Sequence, residues 1–464
     1  MEQLDKRKDF WKRYFILLVT IAMQNVIVYG VNLLDNIMLG RYPDNELSLS
    51  AVALVNQVQF LLQMIINGVS DGTVVMSSRF WGEKNIPQIK KTASTALMFG
   101  MIFASALFLF AFCAPETLLG ILTDKTPFIA KGVEYMRIVC FSYFFFAITQ
   151  VLLGMLRSVE TAFIGFLSSV ASLFVNLILN YMLIFGHFGA PELGVVGAAI
   201  ATLASRVVET LIVVIYLAFF DKKLNLKFKE LFQSSREILV KFIKVSIPVV
   251  LSGGSWGIAM GIQTAILGRL EDSVVSANSI ATTVFSIMSV FIYGSATAAS
   301  VMIGKKIGQS ALPKEDGTYL SDGERTDIIK HYARRMQLVF LALGLTTGVL
   351  LFLAKDIIIG FYNISEETRH LALLFMTVLS VTVVGSAYQM PCLTGIVRGG
   401  GDTKFVLFND IIFMWGIVLP SSFIAAFVLE LPAVVIFICL KADQILKCFV
   451  AMVKVNRFRW IKKI

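Results

Sequence analysis

Charge is scarce in this 464-residue chain: Asp, Glu, Lys and Arg make up 16% of it, against 57% hydrophobic residues. A water-soluble domain of that length could not cover itself with so little polar surface, so the chain reads as an integral membrane protein. Histidine is nearly missing, with three residues, His187, His331 and His370, scattered near loops. There is no paired acidic motif at the membrane surface and no GxxxxGK[ST] phosphate loop. Those absences leave acid–base catalysis and nucleotide hydrolysis without their usual groups, and the chain reads as neither an enzyme nor an ATP-driven pump. The five cysteines (Cys113, Cys140, Cys392, Cys439, Cys448) are odd in number, fall in apolar segments and lack metal-ligand spacing, so they read as packing residues. Of the prolines, Pro248, Pro391 and Pro420 lie inside apolar runs, where they can kink a helix and free carbonyls.

What is present is oil, in runs long enough to cross a bilayer, which takes about 20 residues each. The expected spans are 14–38, 50–78, 93–113, 128–153, 162–185, 194–219, 240–267, 275–303, 334–354, 368–394, 405–428 and 431–453. The fold class expected is all-α, with twelve transmembrane helices falling six and six. The second half repeats the first. Leu39-Gly40-Arg41 recurs as Leu267-Gly268-Arg269, the segment from Gly68 to Gly82 recurs from Gly294 to Gly308, and Gly154 to Arg157 returns as Gly395 to Arg398. Six spans per half give both copies one topology, so the expected architecture is two six-helix lobes about a pseudo-two-fold axis along the membrane normal, as in transporters that rock about a shared site. The expected division is an N-lobe over 1–220, a polar cytoplasmic connector over 221–239 and a C-lobe over 240–464. A second long loop, about 310–333, reads as a mobile insertion. Most of the 41 basic residues fall in the termini and even-numbered loops, which puts both termini in the cytoplasm. The net charge of +10 is that bias plus attraction to anionic lipid, not a nucleic-acid footprint. Lys6 to Arg13 ahead of the first span resembles a signal peptide, but the apolar stretch is too long for one.

A carboxylate inside a bilayer costs at least a few kcal/mol and persists where it has a partner or a task. Asp35, closing span one, is the leading candidate. Asn176 and Asn180 in span five share a helix face at i, i+4, as do Ala198 and Thr202 in span six. Counting about 1.5 Å per residue puts Asp35, Asn180 and Thr202 at one depth, in the outer half of the first lobe. One carboxylate, two amide oxygens and a hydroxyl, with room for a backbone carbonyl, form a hard-oxygen cage for sodium, or a hydrogen-bonded carboxyl for a proton. Helix–helix hydrogen bonding is the alternative use of these groups. Matching Gly40 to Gly268 sets Gln263 opposite Asp35, so ion coupling is expected from the first half alone. Arg206 with Glu209 and Glu134 with Arg137 read as internal ion pairs. Asp71 and Asp410 lie near cytoplasmic span ends, and Lys441 and Asp443 do not face each other. Gln57, Tyr143, Gln150, Gln263, Tyr388 and Gln389 are candidates to line a cavity for flat lipophilic cations, by stacking and amide contacts.

The segment Asp35-Asn36-Ile37-Met38-Leu39-Gly40-Arg41, with Ala51-Val52-Ala53 and Asn56-Gln57, resembles the first-lobe signature of the multidrug and toxic compound extrusion family, the MATE transporters. Asn176 to Gly186, Gly197 to Thr202 and Gly395-Ile396-Val397-Arg398-Gly399-Gly400-Gly401-Asp402-Thr403-Lys404 are similar to its other motifs. The resemblance implies two V-shaped lobes and export of lipophilic, often cationic, drugs or toxic compounds in exchange for inward Na+ or H+, with no cofactor. It also implies a cation site at Asp35, Asn176, Asn180 and Thr202, with the backbone of Ala198 added in some members. The expected setting is the inner (plasma) membrane, as a monomer whose partners are small molecules and lipids. Three departures stand out: Asn180 where some members carry Asp, Trp256 and Ser386 near positions where one branch carries carboxylates, and Thr20 where many relatives have a first-helix proline. A flippase or exporter for a lipid-linked or endogenous substrate is the rival reading, for which several buried basic residues would be expected.

Overall fold

The computed structural model describes residues 2–42, 45–313, 317–362 and 364–462. All of their regular structure is helical, with one isolated bridge between Gly401 and Ile461. That is what a bilayer demands, since helices satisfy their own backbone groups where no water can. In chain order the helices are α1 (Glu2–Leu39), α2 (Asn45–Gly82), α3 (Ile86–Cys113), α4 (Pro115–Gly120), α5 (Thr126–Val139), α6 (Ser142–Ser158), α7 (Phe163–Phe185) and α8 (Val195–Ile215). There follow α9 (Arg236–Leu267), α10 (Asp272–Gln309), α11 (Asp322–Gly360), α12 (Glu366–Met390), α13 (Thr403–Phe413), α14 (Leu419–Phe427) and α15 (Ala433–Asn456).

Among the described residues ten helical segments are long and apolar enough to cross a membrane, and α5 with α6 make an eleventh if the pair, bent by 52°, is one span. The region of the expected twelfth span is a helix, α15, but Lys441, Asp443, Lys447 and Lys454 make it too charged to qualify on composition. Those charges are managed internally. Lys447 is buried and reaches Asp410 at 3.0 Å and Asp443 at 3.3 Å, while Lys454 pairs with Asp402 at 2.7 Å. Lys441 lies over the rings of Phe285 and Phe437.

The prolines act unequally. Helix α9 runs through Pro248 without a break, whereas α12 widens into a π-helical stretch at Pro391–Val397 and another, Met414–Val418, ends just before Pro420. A missing N–H lets the turn loosen to the next acceptor. The loop expected over 310–333 is shorter than that. A capping box of Ser321 and Glu324 starts α11 early, and pairs such as Lys330–Asp327 at 3.1 Å support its first turns. Residues 314–316 of that loop lie outside the described residues. Glu134 pairs with Lys131 at 3.0 Å rather than with Arg137, although both stand three residues away on the same helix face.

By contact the chain groups into two compact units: residues 1–22, 78–84 and 251–464, and residues 23–77 and 85–250. Each has its own apolar core. The segment 221–239 is docked rather than loose. Lys90 holds Glu230 at 2.7 Å, Lys223 donates to the Val159 carbonyl at 2.7 Å, and Asp221 caps Leu224 and Asn225. The Lys90 ammonium beside Glu230 draws its carboxyl below the usual range.

The repeat read in the sequence is a repeat of contacts. In one unit α6 crosses α2 where a Cβ on Gly154 would meet the Ser70 carbonyl at 3.0 Å; in the other the π stretch crosses α10 where a Cβ on Gly395 would meet the Ala296 carbonyl at 2.8 Å. Ser70 and Ala296 are themselves repeat partners. The equivalent helix ends at Gly82 and Gly308 also meet, so closely that a Cβ on Gly82 would lie 2.9 Å from the Gly308 Cα. Small residues are what allow membrane helices this approach.

Removing the cation from the buried charge cluster has a definite expected effect. Lys447→Met leaves Asp410 and Asp443 without compensation and should lower stability by about 3–5 kcal/mol. Adding Asp410→Asn should recover part of it. Thermal unfolding in detergent reads both; equal melting of the single variant and wild type would show that water already neutralises the cluster.

Candidate functional site

Three helices bring the expected polar residues together within one compact unit. Asp35 lies near the C-terminal end of α1, Asn176 and Asn180 lie on one face of α7, and Ala198 and Thr202 lie on α8. The α7–α8 hairpin turns through Gly186 at φ 70° and Gly194 at φ 54°, a left-handed backbone suited to glycine. The two helices then close tightly: a Cβ on Gly197 would lie 2.5 Å from the Leu183 carbonyl oxygen. That approach turns the asparagine face of α7 toward the first turns of α8.

The Asn180 amide nitrogen donates to Asp35 Oδ1 at 2.5 Å and to Asn176 Oδ1 at 3.1 Å. Both asparagines are fully buried. Among the described residues Asp35 makes no salt bridge; its hydrogen bond from Asn180 takes the place of one. Three polar atoms of the cluster are buried without a partner: Asn180 Oδ1, Asn176 Nδ2 and Thr202 Oγ1. Each such orphan costs about 1–3 kcal/mol relative to a satisfied group.

Asp35, Asn176, Ala198 and Thr202 line one cavity of about 60 Å³, room for a few water molecules or an ion with part of its hydration. Polar residues at helical spacing continue it: Asn56, Gln59 and Gln63 on α2, Ser169 and Ser172 on α7, and Ser205 on α8. At its far end Arg206 Nη1 pairs with Glu209 Oε2 at 2.8 Å, Ser169 donates to Glu209 at 3.5 Å, and the guanidinium lies over Phe146. Among the described residues no group of three His, Cys, Asp or Glu meets. The donor set around Asp35 is therefore one carboxylate with neutral oxygens.

Of the residues expected to line a substrate cavity, Tyr143 lines this one. Tyr388 lines a separate groove in the other unit and donates to Gln337 at 2.8 Å. Gln57 is exposed, Gln263 is buried against the Met414 sulfur at 3.3 Å, and Gln150 accepts from Arg157 at 3.5 Å; neither these nor Gln389 lines the Asp35 cavity. The α2 amides were missed as a group, although their spacing at 56, 59 and 63 on an apolar helix was a readable signal.

The sequence profile of the MatE family matches residues 20–182 and 318–424, more than half of the chain. The chain is 24% identical over 442 residues to the "Uncharacterized transporter YisQ" of Bacillus subtilis, covering 92% of this chain and 90% of that protein. It is 23% identical over 423 residues to the "Probable multidrug resistance protein NorM" of Bacillus cereus, covering 89% and 88%. Among solved structures it superposes with a TM-score of 0.84, at 21% identity over 98% of this chain and 97% of the other, on a MOP superfamily transporter from Pyrococcus furiosus described as having reversed polarity in its binding pocket. A structure described as the outward-facing conformation of a multidrug resistance MATE family transporter gives a TM-score of 0.83 at 20% identity, over 97% and 96%.

If the α7–α8 approach holds the cluster together, enlarging Gly197 should disturb it. Gly197→Leu is expected to lower stability by about 1–3 kcal/mol through overpacking. An unchanged detergent melting curve would mean that the hairpin absorbs the side chain elsewhere.

Proposed function

The chain belongs to the MatE family of membrane transporters, and from that footing we propose that it is a secondary antiporter which exports lipophilic, often cationic, compounds in exchange for an inward-moving Na+ or H+. The observation that carries the reading is Asp35: a carboxylate within a membrane-spanning helix that accepts from the Asn180 amide, shares its cavity with Asn176 and Thr202, and among the described residues has no lysine or arginine within ion-pair distance. The similarity to proteins named as probable multidrug resistance proteins supports the substrate class.

The proposed cycle uses the orphaned groups. Asn180 turns its N–H groups to Asp35 and Asn176 and leaves its oxygen unused. With Na+ between them, rotating that amide sets its oxygen on the ion beside Asp35, Thr202 Oγ1 and the Asn176 oxygen, with the Ala198 carbonyl as a further donor. Hard oxygens and a single negative charge suit a monovalent cation. With a proton instead, Asp35 becomes a neutral donor and the repulsion between its lone pairs and acceptor oxygens disappears. Either ligand biases the transporter only by its differential affinity for the two conformations. The reading extends to six spans in each half, over 1–220 and 240–464 about the 221–239 connector, with both termini cytoplasmic and no cofactor. The lipid-linked substrate reading is weaker, because the cavity's one guanidinium, Arg206, is already neutralised by Glu209.

Asp35→Asn should abolish gradient-driven transport in proteoliposomes while leaving detergent melting unchanged or raised, since the amide needs no counter-charge. Uptake that survives in this variant sinks the coupling assignment. Thr202→Val, which keeps the shape and removes one oxygen, should weaken ion dependence about ten-fold, the worth of ~1–1.5 kcal/mol. Imposing sodium and pH gradients separately identifies the ion: drive by one gradient and not the other names it, and drive by neither overturns antiport.

A further inference from the structure

A second concavity, about 870 Å³, opens on the outer surface of the 251–464 region, with α12 as its floor. Helix α12 packs along both α11 and α15, while α11 and α15 scarcely touch, so the space between them stays open. Gly348 and Gly385 bring the three helices close at its base: a Cβ on Gly348 would meet the Ser380 carbonyl at 2.5 Å, and one on Gly385 would strike the Gln444 carbonyl. The walls are exposed apolar side chains, including Leu338, Leu345, Val349, Val381 and Phe449.

One end differs in kind. Gln337, Tyr388 and Asn456 form a hydrogen-bonded cluster there: the Tyr388 hydroxyl donates to Gln337 Oε1 at 2.8 Å and the Asn456 amide donates to the same oxygen at 3.2 Å. Arg334 stands beside them in the groove lining, exposed, stacked on Phe458 and without an acidic partner among the described residues. From Arg334 to Leu353 the α11 axis covers about 29 Å, close to the thickness of the hydrocarbon layer. A cation and a polar cluster therefore sit at one membrane face, at the head of an apolar trough.

We propose that this groove is a binding site for an anionic glycerophospholipid from the leaflet nearer the chain termini. Its phosphate pairs with Arg334, its glycerol oxygens contact the Gln337–Tyr388–Asn456 cluster, and an acyl chain lies along α12. Bilayer chains are as apolar as the groove walls and fill any such trough without preference. Selectivity therefore comes from the charged end, where a basic residue favours an anionic head group. None of the groove's lining residues lines the Asp35 cavity, so the inference stands apart from the antiport reading.

The test is native mass spectrometry of the purified full chain, titrated with phosphatidylglycerol or phosphatidylcholine of identical chains. Wild type should retain phosphatidylglycerol at about five-fold lower lipid concentration than phosphatidylcholine, the effect of one basic residue. Arg334→Ala should erase the preference while still retaining both lipids weakly. Val381→Trp, at an exposed groove position, should fill the trough and lower retention of both. Detergent melting without added lipid checks that both variants are folded. Equal retention of the two lipids by wild type overturns the proposal, as does a preference that survives Arg334→Ala or retention untouched by Val381→Trp. Glycerol phosphate without acyl chains should give no retention; if it binds as well as the lipid, the groove is not the site.

Discussion

A carboxylate held among helices in a bilayer must be matched by a cation or by hydrogen-bond donors, and the chain solves this differently at Asp35 than elsewhere. Glu209 has Arg206, Asp410 and Asp443 share Lys447, and Asp402 has Lys454. In those pairs each carboxylate meets a cation, within one helix for Glu209 and Asp443 and across to α15 for Asp410 and Asp402. Asp35 has an amide proton, and the same amide leaves its oxygen buried and unused. Buried polar groups are normally satisfied, so a cluster with three orphans around one acid is an arrangement that a visiting ligand would complete.

That cluster depends in turn on how closely helices approach. The glycine contacts at Gly197, Gly154 and Gly395 place backbone against backbone, where even a methyl group would intrude. Such contacts fix helix rotation, and rotation decides whether Asn176 and Asn180 look toward Thr202 or toward lipid. One crossing recurs, α6 on α2 through Gly154 and the π stretch on α10 through Gly395, so the two halves share a contact while their polar residues differ.

Much of this was legible in the letters because membrane helices obey few rules. Run length gave the helices, and spacing of four placed Asn176 with Asn180 and Ala198 with Thr202 on shared faces. Depth counting from Asp35 predicted a meeting that the hydrogen bond from Asn180 now makes concrete. What could not be read was anything set by helix rotation or by competing partners. Glu134 had two basic residues on its own helix within reach, and only packing chooses Lys131. The start of α11 was hidden because charged helical turns outside the bilayer look like loop to a hydropathy argument, although the Ser321–Glu324 capping box marked it. The open groove beside α12 left no trace at all, since lipid-facing residues read alike whether the surface is flat or hollow.

The divergence between halves bears on how one ion could drive the whole molecule under the proposed reading. Gln263, which stands where the repeat places Asp35, is buried and directs its amide at the sulfur of Met414, a weak acceptor that needs no charge. The second half thus keeps the helix and surrenders the titratable group. Its partly buried acids Asp402, Asp410 and Asp443 are committed to lysines on its own helices, so a sodium ion or proton arriving there would have to displace an ammonium tethered to the fold. At Asp35 an ion displaces only an amide hydrogen, which the rotation of one side chain restores as a coordinating oxygen. Under the proposed reading the duplicated scaffold therefore carries settled charge pairs in one half and an open carboxylate in the other, and the ion acts through the open one.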